Sequence, residues 1–96
     1  MSWTFDAEVF RWDAEGPSWR FARVPGEVAD DVREQAFARG FGSVRVDVTI
    51  GNTSWTTSLF PEQATGSFLL PVKAAVRKDE GIDDGDVVTV RLKLGS

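Results

Sequence analysis

The chain has 96 residues with 15 acidic and 11 basic side chains, a net charge of −4, and neither cysteine nor histidine. That composition excludes a disulfide framework, thiolate chemistry, and the commonest metal ligand and general base. It also supplies no global attraction to nucleic acid or to an anionic membrane. The length fits one domain, residues 1–96, around a single core.

From the N-terminus, MSWTFDAEVF alternates apolar and polar residues, unlike the continuous apolar run of a signal peptide or a spanning segment. A cytoplasmic, soluble chain is therefore expected. Trp3, Phe5, Ala7 and Val9 share one parity and Thr4, Asp6 and Glu8 the other, which predicts a half-buried strand. Phe10 and Trp12 fall on the polar parity and should point away from that core. Either the following helix lays Val28, Val32 and Ala36 over them, or Trp12 anchors a partner, since Trp is enriched in binding hot spots.

A turn is predicted over 13–17, where Gly16 and Pro17 punctuate the chain. The partner strand runs over 18–24, with Trp19 and Phe21 as its large residues, and Pro25-Gly26 stops it. Glu27, Asp30, Asp31 and Glu34 then open a helix whose apolar stripe is Val28, Val32 and Ala36, with Phe37 beside it. Gly40-Phe41-Gly42 reads as its stop. Val44, Val46, Val48 and Ile50 alternate with Ser43, Arg45, Asp47 and Thr49 in the cleanest strand pattern of the chain.

Gly51-Asn52 turns this strand back into 54–60, with Trp55, Thr57 and Leu59 on one face, and 61–66 reads as a loop. An apolar strand over 67–70 runs into Pro71, a basic helix carries Lys73, Arg77 and Lys78, and Gly81-Ile82 ends it. Asp83-Asp84-Gly85-Asp86 is a tight turn in which Gly85 should take a positive φ. It launches a strand with Val88, Val90, Leu92 and Leu94 on one face.

Two halves share this plan. Pro25, an acidic helix, Gly42 and a Val-rich strand repeat the order of Pro71, a basic helix, Gly85 and a second Val-rich strand. A repeated strand–helix–strand unit suggests pseudo-two-fold assembly into one closed barrel.

Few residues carry chemistry. Asp79, Glu80, Asp83, Asp84 and Asp86 could collect a hard cation, but EF-hand spacing is absent and a solvated turn accounts for them. Glycoside hydrolysis needs two acids across a deep cleft, and a barrel this small fills its interior with side chains. A Ser–Lys arrangement through Lys73 has neither a nucleophile elbow nor a Ser-x-x-Lys motif behind it. Gly40-x-Gly42 lacks the third glycine of a phosphate loop, and Asn52-Thr53-Ser54 is a glycosylation triplet by pattern alone. Arg20, Arg23, Lys73, Arg77 and Lys78 would share a basic edge, with Asp79, Glu80, Asp83 and Asp84 beside it to repel phosphate. Arginines that lay aliphatic stems on a barrel surface are the plainer reading of that edge.

The segment LPVKAAVRKDEGIDDGDVVTV resembles the swapped-hairpin element of AbrB- and MazE-type transcription factors. Together with FDAEVF, WRFARVP, VRVDVTIGN and SLFP it resembles, over nearly the whole chain, a small bacterial family known only as a domain of unknown function. Members of that family stand alone or are joined to a YdeI/OmpD-associated (bacteriocin-protection) domain. The resemblance implies a double-split β-barrel and brings no activity with it. Asp79-Glu80 departs from the small apolar residues usual at that place, which weakens any binding role carried over to this helix end.

The fold expected is mainly β with two short helices, a small closed barrel of double-split type with a pseudo-two-fold strand–helix–strand repeat. One chain supplies both halves, so a monomer is expected. The expected role is a non-catalytic binding or interaction module for a protein or small-molecule ligand, without cofactor or metal. Phe10, Trp12, Arg20, Arg23, Lys73 and Arg77 are the candidate partner-binding residues. An AbrB-like DNA-binding regulator and a hydrolase-type enzyme are the alternatives, and the acidic balance argues against nucleic acid.

Overall fold

Residues 2–12, 19–38 and 44–95 are described by the computed structural model. The turn over 13–17, the Gly40-Phe41-Gly42 stop and the Phe37 side chain lie outside them. In chain order the elements are β1 (Ser2–Trp12), β2 (Trp19–Arg23), α1 (Gly26–Ala38), β3 (Val44–Ile50), β4 (Thr53–Glu62), β5 (Ser67–Pro71), α2 (Ala74–Glu80) and β6 (Val87–Leu94).

The strands close into an antiparallel barrel in the order β1-β2-β5-β4-β3-β6, with β6 returning to β1. Exchanging β1 with β4, β2 with β5 and β3 with β6 leaves that cyclic order unchanged apart from its direction. β2–α1–β3 and β5–α2–β6 are therefore the two halves of a pseudo-two-fold, as the shared plan of the sequence suggests. Closure also leaves no unpaired strand edge among the described strands.

Period-two patterning fills the interior. Val44, Val46, Val48 and Ile50 are buried on β3, Phe5, Ala7 and Val9 on β1, and Val90 and Leu92 on β6. Each fully buried Val or Leu contributes about 1.5–3 kcal/mol relative to exposure. The helices close the barrel with small apolar residues: Ala29, Val32 and Ala36 from α1 and Val76 from α2 join the same core. The α1 stripe is thus turned towards Ala29 rather than Val28, which stays half-buried at the edge of that core.

Two turns fix α2. Gly81 closes the helix in the left-handed conformation at φ 63°, and its N–H bonds the Arg77 carbonyl. Gly85 has φ 89°, the positive value expected for it, and donates its N–H to Val9 O at 2.7 Å. Asp86 O accepts from Val9 N–H at 2.9 Å, so the turn is clipped to β1, with Ile82 buried below. Against the same end of α2, at Glu80, Gly51-Asn52 forms a two-residue hairpin loop between the paired Ile50 and Thr53, with Gly51 at φ 59°.

One predicted boundary moves. The chain over 61–66 is not all loop: β4 continues through Pro61 and Glu62, which pair with Phe68 and Ser67.

Candidate functional site

Arg20 has the inward parity of Ala22 on β2 and of Val24 just after it, but it stands one step past the core, at the barrel rim. There its Nε donates to the Asp84 carboxylate of the turn after α2, while its backbone carbonyl accepts from Val72 N–H at 2.9 Å. Only 14% of the Arg20 side chain is exposed, and its Nη1 is buried without a partner among the described residues.

The Val72 bond brings the start of α2 against β2. Between them lies an open cleft of about 240 Å³ lined by Trp19, Arg20, Pro71, Val72, Lys73, Ala74 and Arg77. Arg77 donates its Nε to Val72 O at 3.3 Å, which holds the guanidinium on the cleft wall. Lys73 is exposed. Across Ala74 and Arg77 a shallower hollow continues towards Lys78, Ile82 and Asp83.

Trp19 joins this cleft to a second feature, the outer face of β1, β2, β5 and β4. Register places Trp12 opposite Trp19, Phe10 opposite Phe21 and Phe21 opposite Pro71. One row further, Arg23 faces Leu69 and Leu69 faces Phe60. The rings touch: Trp19 lies nearly parallel to Phe21 at 6.2 Å, Trp12 meets Phe21 edge-on at 5.9 Å, and Phe10 lies 6.3 Å from Phe21. Trp12, Trp19 and Phe60 are 42%, 52% and 48% exposed, so the band is open to solvent at these three rings, with Phe10 and Phe21 half-buried between them. Leu69 is buried yet outside the core cluster, covered on this outer face.

This corrects the expectation that α1 covers Phe10 and Trp12. The helix spends Ala29, Val32 and Ala36 on the barrel core, which contains neither ring. Phe21 packs against both instead, and the Arg23 guanidinium lies 4.8 Å above Phe10.

Of the predicted residues, Arg20, Lys73 and Arg77 meet in one cleft, whereas Phe10, Trp12 and Arg23 lie on the adjoining band. Arg23 is also engaged: its Nε and Nη2 donate to the two Glu62 oxygens at 2.6 and 2.9 Å, and Thr65 Oγ1 donates to Glu62 at 2.6 Å. The Arg23 bonds, then the Thr65 bond, hold the Glu62 carboxyl down at about 2, and the Arg23 guanidinium is raised in return. Trp19, Phe21 and Phe60 were not among the candidates. The outward parity of Trp19 and Phe21 against Ala22 was the available signal for two of them. No group of acidic side chains that could hold a metal occurs among the described residues, and no helix is long and apolar enough to cross a membrane.

No curated protein matches the chain. The model of a family described as a domain of unknown function, DUF1905, matches residues 5–92, from β1 into β6. The barrel with its basic cleft and aromatic band therefore belongs to a member of the DUF1905 family.

Proposed function

We propose that this chain is a non-catalytic binding module whose ligand seats in the cleft between β2 and α2 and is flanked by the outer aromatic band. One observation carries the reading. In a chain of net charge −4, three cations, Arg20, Lys73 and Arg77, converge with a half-exposed Trp19 on one concavity. Pockets that combine an apolar wall with a few convergent charged groups are the usual form of a ligand site.

The closed barrel supports a monomeric module, since no edge among the described strands invites pairing. The only carboxyl shift resolved among the described residues lowers Glu62, opposite to what a general acid at neutral pH requires. The symmetric strand order supports the double-split resemblance, and β5–α2–β6 is the unit that resembles AbrB-type proteins. Asp84 sits on Arg20, however, and removes one cation from any contact with a DNA backbone.

A thermal-denaturation screen of small anions, neutral compounds and acidic peptides tests this reading. Anionic compounds should raise the melting temperature of the wild type and lose that effect in Lys73→Glu, which changes only an exposed side chain. Stabilisation by neutral compounds alone, unaffected by Lys73→Glu, would move the site elsewhere.

A further inference from the structure

Resting on the binding-module reading, we infer that the ligand of the cleft is a phosphomonoester attached to a planar ring, the chemical class of a nucleoside monophosphate. The phosphate lies among Arg20, Lys73 and Arg77, and the ring lies on Trp19.

Charge selects the phosphate. Three cations line the cleft and one carboxylate, Asp84, is bonded to Arg20, which leaves Lys73 and Arg77 without an ion-pair partner among the described residues. A phosphomonoester carries about −1.5 to −2 at neutral pH, whereas a single carboxylate would leave half of that charge unmet. Arg20 is fixed through Nε, its buried Nη1 donor has no partner among the described residues, and a guanidinium fork matches phosphate oxygens.

Shape selects the ring. At about 240 Å³ the cleft is smaller than a drug-sized pocket, so it admits the charged end of a ligand and leaves the remainder at its mouth. Trp19 stands there, backed by the near-parallel Phe21 ring and 52% exposed. A supported indole is a stacking platform for a flat heterocycle.

The pseudo-repeat supplies an internal control. Two and six residues after Pro71 stand Lys73 and Arg77, and at the same offsets after Pro25 stand Glu27 and Asp31. Both halves build the same strand–helix–strand unit, so the fold itself does not call for cations at these places.

The test is titration of the intact chain, followed by its backbone, indole and arginine N–H resonances, with adenosine 5′-monophosphate, inorganic phosphate, adenosine and an acidic peptide. The monophosphate should shift the Trp19 and Arg77 signals and bind at least tenfold more tightly than phosphate or adenosine alone. Trp19→Ala should weaken the monophosphate roughly 5- to 150-fold, the span of one base–aromatic stack, and leave phosphate unchanged. Lys73→Ala should weaken both. A 5′-phosphorylated single strand compared with its unphosphorylated form shows whether the phosphomonoester is carried by free nucleotide or by a nucleic-acid end.

Equal affinity for the monophosphate and phosphate, or no loss in Trp19→Ala, would overturn the ring while keeping the cleft. Tighter binding of the acidic peptide at the same signals would overturn the phosphomonoester and also keep the cleft. If no probe moves these signals, the inference and the binding-module reading fall together.

Discussion

Gly51→Ala perturbs the contact that holds α2, and with it the Lys73 and Arg77 side of the cleft. Gly51 has φ 59°, where an L-residue costs about 1–2 kcal/mol. An added Cβ would also overlap the Glu80 carboxylate, lying 2.8 Å from its Cδ. Glu80 is the last residue of α2, and its Oε2 accepts from Thr53 Oγ1 at 2.6 Å. The carboxylate is the free end of a flexible side chain, so it would swing away and forfeit that bond. In this part-buried setting the loss is about 1–1.5 kcal/mol, the upper part of the range for an ordinary intramolecular hydrogen bond.

The combined cost should be about 2–3.5 kcal/mol, read by urea denaturation, and a fall in melting temperature of about 10–25 °C for a domain of this size. In a Glu80→Ala background the same substitution should cost only the backbone part, about 1–2 kcal/mol, which leaves a coupling of about 1 kcal/mol in the cycle. Gly51→Asn should lose less than Gly51→Ala, because Asn tolerates positive φ while still displacing Glu80. A Gly51→Ala protein within about 0.5 kcal/mol of wild type would refute the turn geometry, since that is the scatter of neutral surface changes. An unchanged cost in the Glu80→Ala background would refute the Glu80 contact.

Three further outcomes are expected. Trp12→Ala should cost about 1–2 kcal/mol, because its edge contact with Phe21 and partial burial are lost, well under the 3–5 kcal/mol of a fully buried Trp; a loss above about 3 kcal/mol in denaturant would mean the band is covered. Glu62 is held at about 2 against an ordinary 4.5, so the native state favours its ionised form. That stabilisation is complete above about pH 5 and disappears as the pH falls towards about 2. Arg23 is 46% exposed, so water limits the pair to about 1 kcal/mol or less; Glu62→Gln should flatten the acid limb of a stability–pH curve by that amount, and an unaltered limb would contradict the pairing. Duplex DNA should not be retarded in a gel at physiological salt, given the acidic chain and Asp84 on Arg20; tight binding that weakens steeply between roughly 50 and 200 mM salt would reverse this.

The barrel was largely legible because its signals are local. Strict alternation in β3 and β6 shows which side chains face inward, and the turn at Gly85 needs only its own neighbours to be read. Pro25 and Pro71 mark the two halves for the same reason. The site depends instead on which strands become neighbours. Nothing local in β2 says that Phe21 will lie beside Pro71, or that Arg20 will reach Asp84, 64 positions later. Period-two parity put Phe10 and Trp12 on the outside, yet it is silent on what covers them. The α1 stripe, one of the two alternatives for that face, is needed by the barrel, and the neighbours come from β2. Leu69 shows the same limit from the other side: an apolar residue of outward parity can be buried without joining the barrel core. Cations at the two- and six-residue offsets after Pro71, against acids after Pro25, were visible in the sequence. Their meaning emerged only when β2 supplied Trp19 and Arg20 across the cleft.

The four indole N–H resonances provide the most direct measurement, since Trp3, Trp12, Trp19 and Trp55 lie at different places on the barrel. On titration with any anion that stabilises the protein, Trp19 should move first and furthest, with Trp3 and Trp55 unchanged. Movement of Trp3 or Trp55 while Trp19 stays fixed would contradict the placement of the site between β2 and α2.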